Sequence, residues 1–387
     1  MAPNNVIVAE EEKSCNRRKE NPEIASGRSN GHDPKKNHHR SSPSTTTTTI
    51  TTTITNTDVN ENVDKSAEAK KYVDGRQQDW WTFLRRDDIK WRNVILISVF
   101  HMIAVYGFLT APYLTHWKTF IWAFLIGMAA AFGITGGIHR FWSHKAYKAN
   151  TFLRIILMFC FVAAGQNSIH EWVRDHRVHH KFSETDADPH NSKRGFFFSH
   201  VGWLMMKKHP DVISKGKLID MSDIEADPVA AFCERHFTLL KLMVCFVVPI
   251  CVPVYCWDED WYHATMFQLC RYVYVLNATW SVNSFAHFFG NKPYDRYIGP
   301  VENGFVSYVT FGEGWHNYHH TFPQDYRAAE IGGGRFNSTT TIIDLFAKLG
   351  WAYDLKEPSE QLIAKTIENR GDGTHCSSRD RNRARCE

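Results

Sequence analysis

Four stretches of this chain, 93–115, 119–138, 237–257 and 262–285, are each long and apolar enough to cross a bilayer as a helix, a job that takes about 20 mostly apolar residues. No other feature limits the fold as much, because backbone in hydrocarbon has to satisfy its own hydrogen bonds and does so as helix. The stretches come in pairs joined by the short turns HWK and DEDW. The expected fold is an all-α membrane protein with four transmembrane helices in two hairpins. A fifth apolar stretch, 152–169, is long enough to cross if taken alone.

Histidines decide how that fifth stretch is read. Of 21 His in the chain, nine fall into four clusters: His139/His144, His176/His179/His180, His287 and His316/His319/His320. Each cluster directly follows or closes an apolar stretch. On a helix, residues i, i+3 and i+4 share a face, so HRVHH (176–180) and HNYHH (316–320) can each aim three imidazoles at one point. HRFWSH (139–144) is an i, i+5 pair that shares no α-helical face, so one of its two rings is expected where a helix ends. A random chain of this composition would hold on the order of 0.06 HxxHH matches, and this one holds two. If 152–169 crossed the membrane, the first two boxes would lie on opposite sides, and a shared site forbids that. The stretch is therefore read as a helix in or near the interface. The isolated His101, His116, His200 and His263 are read as satisfied core or interface groups.

The flanks read differently. Residues 1–78 lack apolar periodicity and carry the run TTTTTITTTITNT (45–57), which reads as a disordered tail. Residues 375–387 read as a basic C-terminal tail, leaving 79–374 as the membrane domain. The start MAPNNVIVAEEEK has no basic segment followed by an apolar core, so no secretory signal is expected. The two short turns hold only one basic residue, Lys118, whereas the tails and 140–236 are rich in Lys and Arg. The positive-inside rule places that rich side, with both termini, in the cytosol. Nine Cys, an odd number without CxxC spacing, call for no disulfides and read as structural thiols.

Nine imidazoles are too many for one tetrahedral ion and suit two ions of four to five ligands each, held by a cytosolic helical cap. Soluble di-iron bundles use paired carboxylates, which these spans lack. Asp175, Glu171, Glu184, Asp186, Asp188 and Glu313 lie close enough in sequence to orient ligand rings from outside, with a solvated-loop reading equally open for Glu184 and Asp186.

The segments HRFWSH, EWVRDHRVHHKFSETDADPHN, RGFFFSHVGWLMMKKHP, NSFAH and GEGWHNYHHTFPQDY closely resemble the animal acyl-CoA desaturases of the stearoyl-CoA delta-9 type. The likeness runs over 80–374 with matching box order. It implies a four-span endoplasmic reticulum enzyme with a cytosolic di-iron cap. By this resemblance all nine His are metal ligands for two iron ions, and Asn283 reaches a metal through water. Gln166, Trp172 and Thr279 match residues that bend the acyl chain around the oxidised carbons. Asn93, Asn167, Arg174, Asp175, Lys207 and Lys208 match positions that hold the coenzyme A head, whose phosphates themselves call for Arg and Lys. Without the family, Lys207 and Lys208 read as interfacial snorkelling groups. The implied chemistry is O2-dependent removal of two hydrogens from adjacent methylenes of a long-chain acyl-CoA, with cytochrome b5 and its NADH-dependent reductase supplying electrons. The chain has no HPGG-type haem motif, so the donor is expected to be a separate protein. Membrane lipid surrounds the spans, and no nucleic-acid partner is expected.

Other readings stand beside this one: a His-box membrane hydroxylase, a desaturase of other regiochemistry such as delta-11, and a membrane protein that transports or stores metal. Stepping back from His139 by fours gives Thr135, Ala131 and Gly127, a ridge of small residues. It serves either close helix packing or, as the resemblance implies, the far end of an acyl tunnel that Gly127 leaves open for eighteen-carbon or longer chains.

Overall fold

A computed structural model describes residues 87–330 and 335–377. The tail 1–78 and most of 375–387 lie outside the described residues. Helix dominates, and the two strands β1 (Lys148–Ala149) and β2 (Ala352–Tyr353) merely pair antiparallel.

Helix α1 (Trp91–Thr110) is apolar almost all round, burying only Ala104 and Gly107 and leaving Leu109 81 % exposed. A helix that shows this much apolar surface outward is built to face lipid. It stops five residues short of the expected 115. Pro112 disfavours helical backbone at the residue before it, and Ala111 is extended at ψ 129°. Helix α2 (Trp117–Phe132) continues through Gly133–Ser143 with the wider i→i+5 hydrogen bonding of a π-helix. Gly133 is where α2 meets α3 (Thr151–Ala163) most closely: a Cβ there would sit 2.2 Å from the Cys160 backbone.

Helix α3 is capped by Asn150 and has 13 residues, ending at Ala163 rather than at the expected 169. That is too short to cross a bilayer. Gly165, at φ +65°, turns the chain toward α4 (Ile169–Phe182), which Ser168 caps and which buries Ile169 and Val173 in the main apolar core.

Helix α5 (Pro228–Leu240), a π segment (Lys241–Val247) and α6 (Val248–Trp257) form one apolar rod of 30 residues. Pro249 and Pro253 lack N–H groups, which frees the carbonyls of Cys245 and Pro249. Neighbouring side chains take both: Arg271 donates to Cys245 O at 2.7 Å and Trp122 to Pro249 O at 2.9 Å. Arg271 also donates to Ala163 O, at the open end of α3, at 2.6 Å. A buried arginine is thus satisfied by carbonyls that no helix uses.

Helix α7 (Trp261–Asn283) packs along both α1 and α2. Among the described residues, three helices are long and apolar enough to cross a membrane, Trp91–Thr110, Trp117–Ser143 and Pro228–Trp257. α7 has the length, but Gln268, Arg271 and Asn277 lower its apolar character. After Asn283 the helix breaks at Ser284, and His287 belongs to a separate turn, Phe285–Phe288. Asn283 and His287 therefore do not share one face of a continuous helix. The short α8 (His316–Thr321), α9 (Ser338–Lys348) and α10 (Glu360–Arg370) complete the cap.

Candidate metal centre and substrate channel

The nine clustered histidines converge in two groups. One holds His139, His144, His176, His180 and His319, the other His179, His287, His316 and His320; within each, one ligating atom per residue lies within 4.8 Å of all the others. Neither three-His box aims all its rings at one point. On α4 the i, i+4 pair His176/His180 enters the first group and His179 the second, whereas on α8 the i, i+4 pair His316/His320 enters the second and His319 the first. The groups adjoin, with the His180 and His320 rings stacked at 4.0 Å. The π turn supplies the first box: His144 N donates to His139 O at 3.2 Å, and His144 caps the end of that helix.

Facing nitrogens stand 2.9 Å apart for His139 and His319 Nε2, 2.8 Å for His144 and His176, and 3.2 Å for His179 and His320. Ligands about 2.0–2.2 Å from a shared ion lie roughly 3–4 Å from each other, so the groups have the size of metal sites. Both ring nitrogens of His287 are buried without a protein hydrogen-bond partner. Burial, then neighbouring imidazoles and arginines, holds His144, His176, His180, His316, His319 and His320 well below the ordinary imidazole value. These rings are neutral at neutral pH and offer lone pairs to a cation. The donor set fits a metal ion in each group.

Carboxylates orient the rings from outside. Glu313 Oε2 lies 2.8 Å from His139 Nδ1, and Asp188 Oδ1 accepts from His179 Nδ1 at 2.9 Å. Burial alone would raise the Glu313 carboxyl, but Arg140 and His139 outweigh it and hold the group at about 2. His179 and His190 likewise hold the buried Asp188 well below the usual carboxylate range. Glu184 Oε1 stands 3.7 Å from His287 Nδ1. Asp175 instead pairs with Arg174 and Lys208.

A series of cavities runs past this centre, each sharing lining residues with the next. Arg174, Asp175 and Lys208 line an outer pocket. Asp175 also borders a cavity with Asn93, Gln166, Asn167, Trp172, Thr279 and Asn283. The last three border an inner, mostly apolar cavity with His139, His176, Thr135 and Ala131. Tyr274 and Phe311 join that to a pocket walled by Gly127 and Arg271. At the middle, Gln166 Nε2 donates to Thr279 Oγ1 at 2.8 Å and Trp172 Nε1 to Gln166 Oε1 at 3.0 Å, a rigid triad.

Lys207 is the exception among the expected substrate residues. It is exposed, its N–H donates to Asp88 O, and its side chain lines none of these cavities. Asn93 spends its amide on Leu204 O at 2.8 Å. Sequence reasoning missed His190, a buried ring 4.3 Å from His179 that lines the second cavity. It also missed Arg140, whose only sequence signal is its place beside His139. His101 and His200 are satisfied through Asn277, and the seven described cysteines are free.

Apolar helices of bilayer length beneath two buried imidazole groups, with a series of cavities beside them, define a helical membrane protein with a metal-type site. Residues 115–328 match the fatty acid desaturase family model. The chain is 54 % identical over 291 residues to the acyl-CoA delta-9 desaturase of Acheta domesticus, covering 75 % of this chain and 81 % of that protein. It is 50 % identical to a stearoyl-CoA desaturase of Sus scrofa, covering 74 % and 80 %. An acyl-CoA delta-11 desaturase of Spodoptera littoralis is 49 % identical, with 75 % and 86 % covered. The chain belongs to the fatty acid desaturase family, and is an oxidoreductase of that kind.

Proposed function

We propose that this protein is an acyl-CoA desaturase that inserts a cis double bond at the delta-9 position of a saturated long-chain acyl-CoA. The observation that carries the reading is the series of cavities. It begins at Arg174 and Lys208, runs past Gln166, Trp172 and Thr279, then past His139, His176 and Asn283, and ends near Gly127. A methylene offers no polar handle, so position is set by counting carbons from the coenzyme A end along a rigid bend.

Arg174 and Lys208 are suited to the phosphates of the head, and Asn167 would border it. The hydrogen-bonded triad holds the bend in place, while apolar walls keep water from the reacting carbons. His139, His144, His176, His180 and His319 would hold one iron ion and His179, His287, His316 and His320 the other, with Asn283 beside them. When bound, the pair supplies the O2 activation that breaking two methylene C–H bonds requires. The substrate loses two hydrogens, cytochrome b5 supplies two electrons from its NADH-dependent reductase, two protons are taken up, and O2 leaves as two waters. α7 is proposed as the fourth span, giving two hairpins in the endoplasmic reticulum membrane with both termini and the histidine cap cytosolic and α3 at the interface.

The delta-11 relative, close to the delta-9 relative in identity, supports a second reading with the bond placed elsewhere. Expression in cells lacking their own desaturase, with double bonds located by mass spectrometry, tests both. Delta-9 products in sixteen- and eighteen-carbon chains are expected. A different bond position supports the second reading, and a hydroxylated product overturns both.

A further inference from the structure

A second cluster of ligating side chains lies at the other end of the bundle. His116, in the turn before α2, and Glu259, Asp260 and His263, at the start of α7, offer atoms that all lie within 4.8 Å of one another. α7 runs from Trp261 to Asn283, so this cluster is roughly 33 Å from the nine-histidine centre at about 1.5 Å per residue. We propose that it is a separate site for one zinc-type divalent ion, which ties two turns 143 residues apart in sequence.

The donor chemistry selects the ion. Two imidazoles with two carboxylates suit zinc, whereas magnesium and calcium prefer all-oxygen surroundings. His116 Nδ1 stands 2.7 Å from Glu259 Oε1, and His263 Nδ1 bonds Asp260 Oδ2. The two rings stack at 3.9 Å, which keeps both imidazoles beside the two carboxylates. Glu259 is held from outside as a good ligand is: Thr119 Oγ1 donates to its other oxygen, and Trp257 Nε1 donates to Thr119 at 2.9 Å. Glu259 is buried while Asp260 is exposed, so the site is anchored on one side and open to an entering ion on the other.

The alternative is a pair of plain His–carboxylate contacts that bind nothing. Iron-loaded full-length protein is equilibrated with buffered zinc and its metals are counted per chain, beside the double variant His116→Asn/His263→Asn. The expected result is one more zinc per chain in the wild type than in the double variant, with equal iron in both, and a zinc-dependent rise in melting temperature that the double variant lacks. Equal zinc in the two proteins, or none in the wild type, overturns the proposal. Should the double variant fail to fold, Asp260→Asn, which preserves the helix cap, decides: a fall in zinc affinity of about tenfold or more supports the site, and unchanged affinity overturns it.

Discussion

Arg140 ties the histidine centre to the fold through a single carboxylate. Its guanidinium, 1 % exposed, donates to Glu313 Oε1 at 2.7 and 3.1 Å and to Tyr326 O at 3.0 Å, while the other Glu313 oxygen meets His139. Glu313→Gln removes the negative charge from both partners. Activity should fall about 10–100-fold, with lower metal content, as loss of an outer ligand partner typically causes, and unfolding should show about 3–5 kcal/mol of destabilisation. Unchanged metal content in the purified variant would show that His139 needs no such partner. His179→Ala and His319→Ala should each abolish turnover while the protein still inserts, since each removes a donor from a different group; full turnover in either variant would contradict the metal reading. The neutral rings carry a pH dependence as well. Their folded-state values lie below the ordinary 6.5, so their contribution to the metal-free fold is present above pH 6.5 and lost as pH falls below it. Thermal melts of metal-free protein should drop between pH 7.5 and 5.5. The residue types at the site were legible because HxxHH is rare by chance, but the Arg140 pairing was not, since Glu313 lies 173 residues away.

At the scale of elements, helical spacing proved a good guide to which histidines gather and a poor one to how they divide. Residues i and i+4 on α4 and α8 do stay together, and the i+3 ring of each helix goes to the other group, because the two helices face each other across the centre. The π turn at Gly133–Ser143 had no signature in the periodicity. It begins at Gly133, where a Cβ would sit 2.2 Å from the α3 backbone, a contact between elements that periodicity does not record. In the ridge below it, Thr135 and Ala131 line the inner cavity and Gly127 the far one. A Cβ on Gly127 would lie 3.3 Å from Arg271 Cγ, so a large side chain there is forced into the cavity. Gly127→Tyr should shift competition between eighteen- and sixteen-carbon substrates toward the shorter by about tenfold or more, the scale set by a methylene or two in an apolar pocket. An unchanged product ratio in a stably folded variant would assign the ridge to packing.

At the scale of the whole molecule, the proposed topology makes a direct prediction. Tags near Met1, after Ser192 and at the C-terminus should all be cut by protease in intact microsomes, and an acceptor loop inserted in the 112–115 turn should be glycosylated. Protection of the Ser192 tag would mean that α3 crosses, and the shared histidine site would have to be rebuilt. The chain by itself determined the helical membrane class, the desaturase likeness and the nine-histidine inventory, because span length, box spacing and composition are properties of neighbours in sequence. Only the structure shows Arg271, inside α7, matched to carbonyls that Pro249 and the end of α3 release. The division of histidines into five and four, the series of cavities and the turn-end cluster were likewise decided by tertiary structure alone. Each depends on which faces of distant helices meet, as where His139 reaches His319 across 180 residues, and a local pattern holds no record of that meeting.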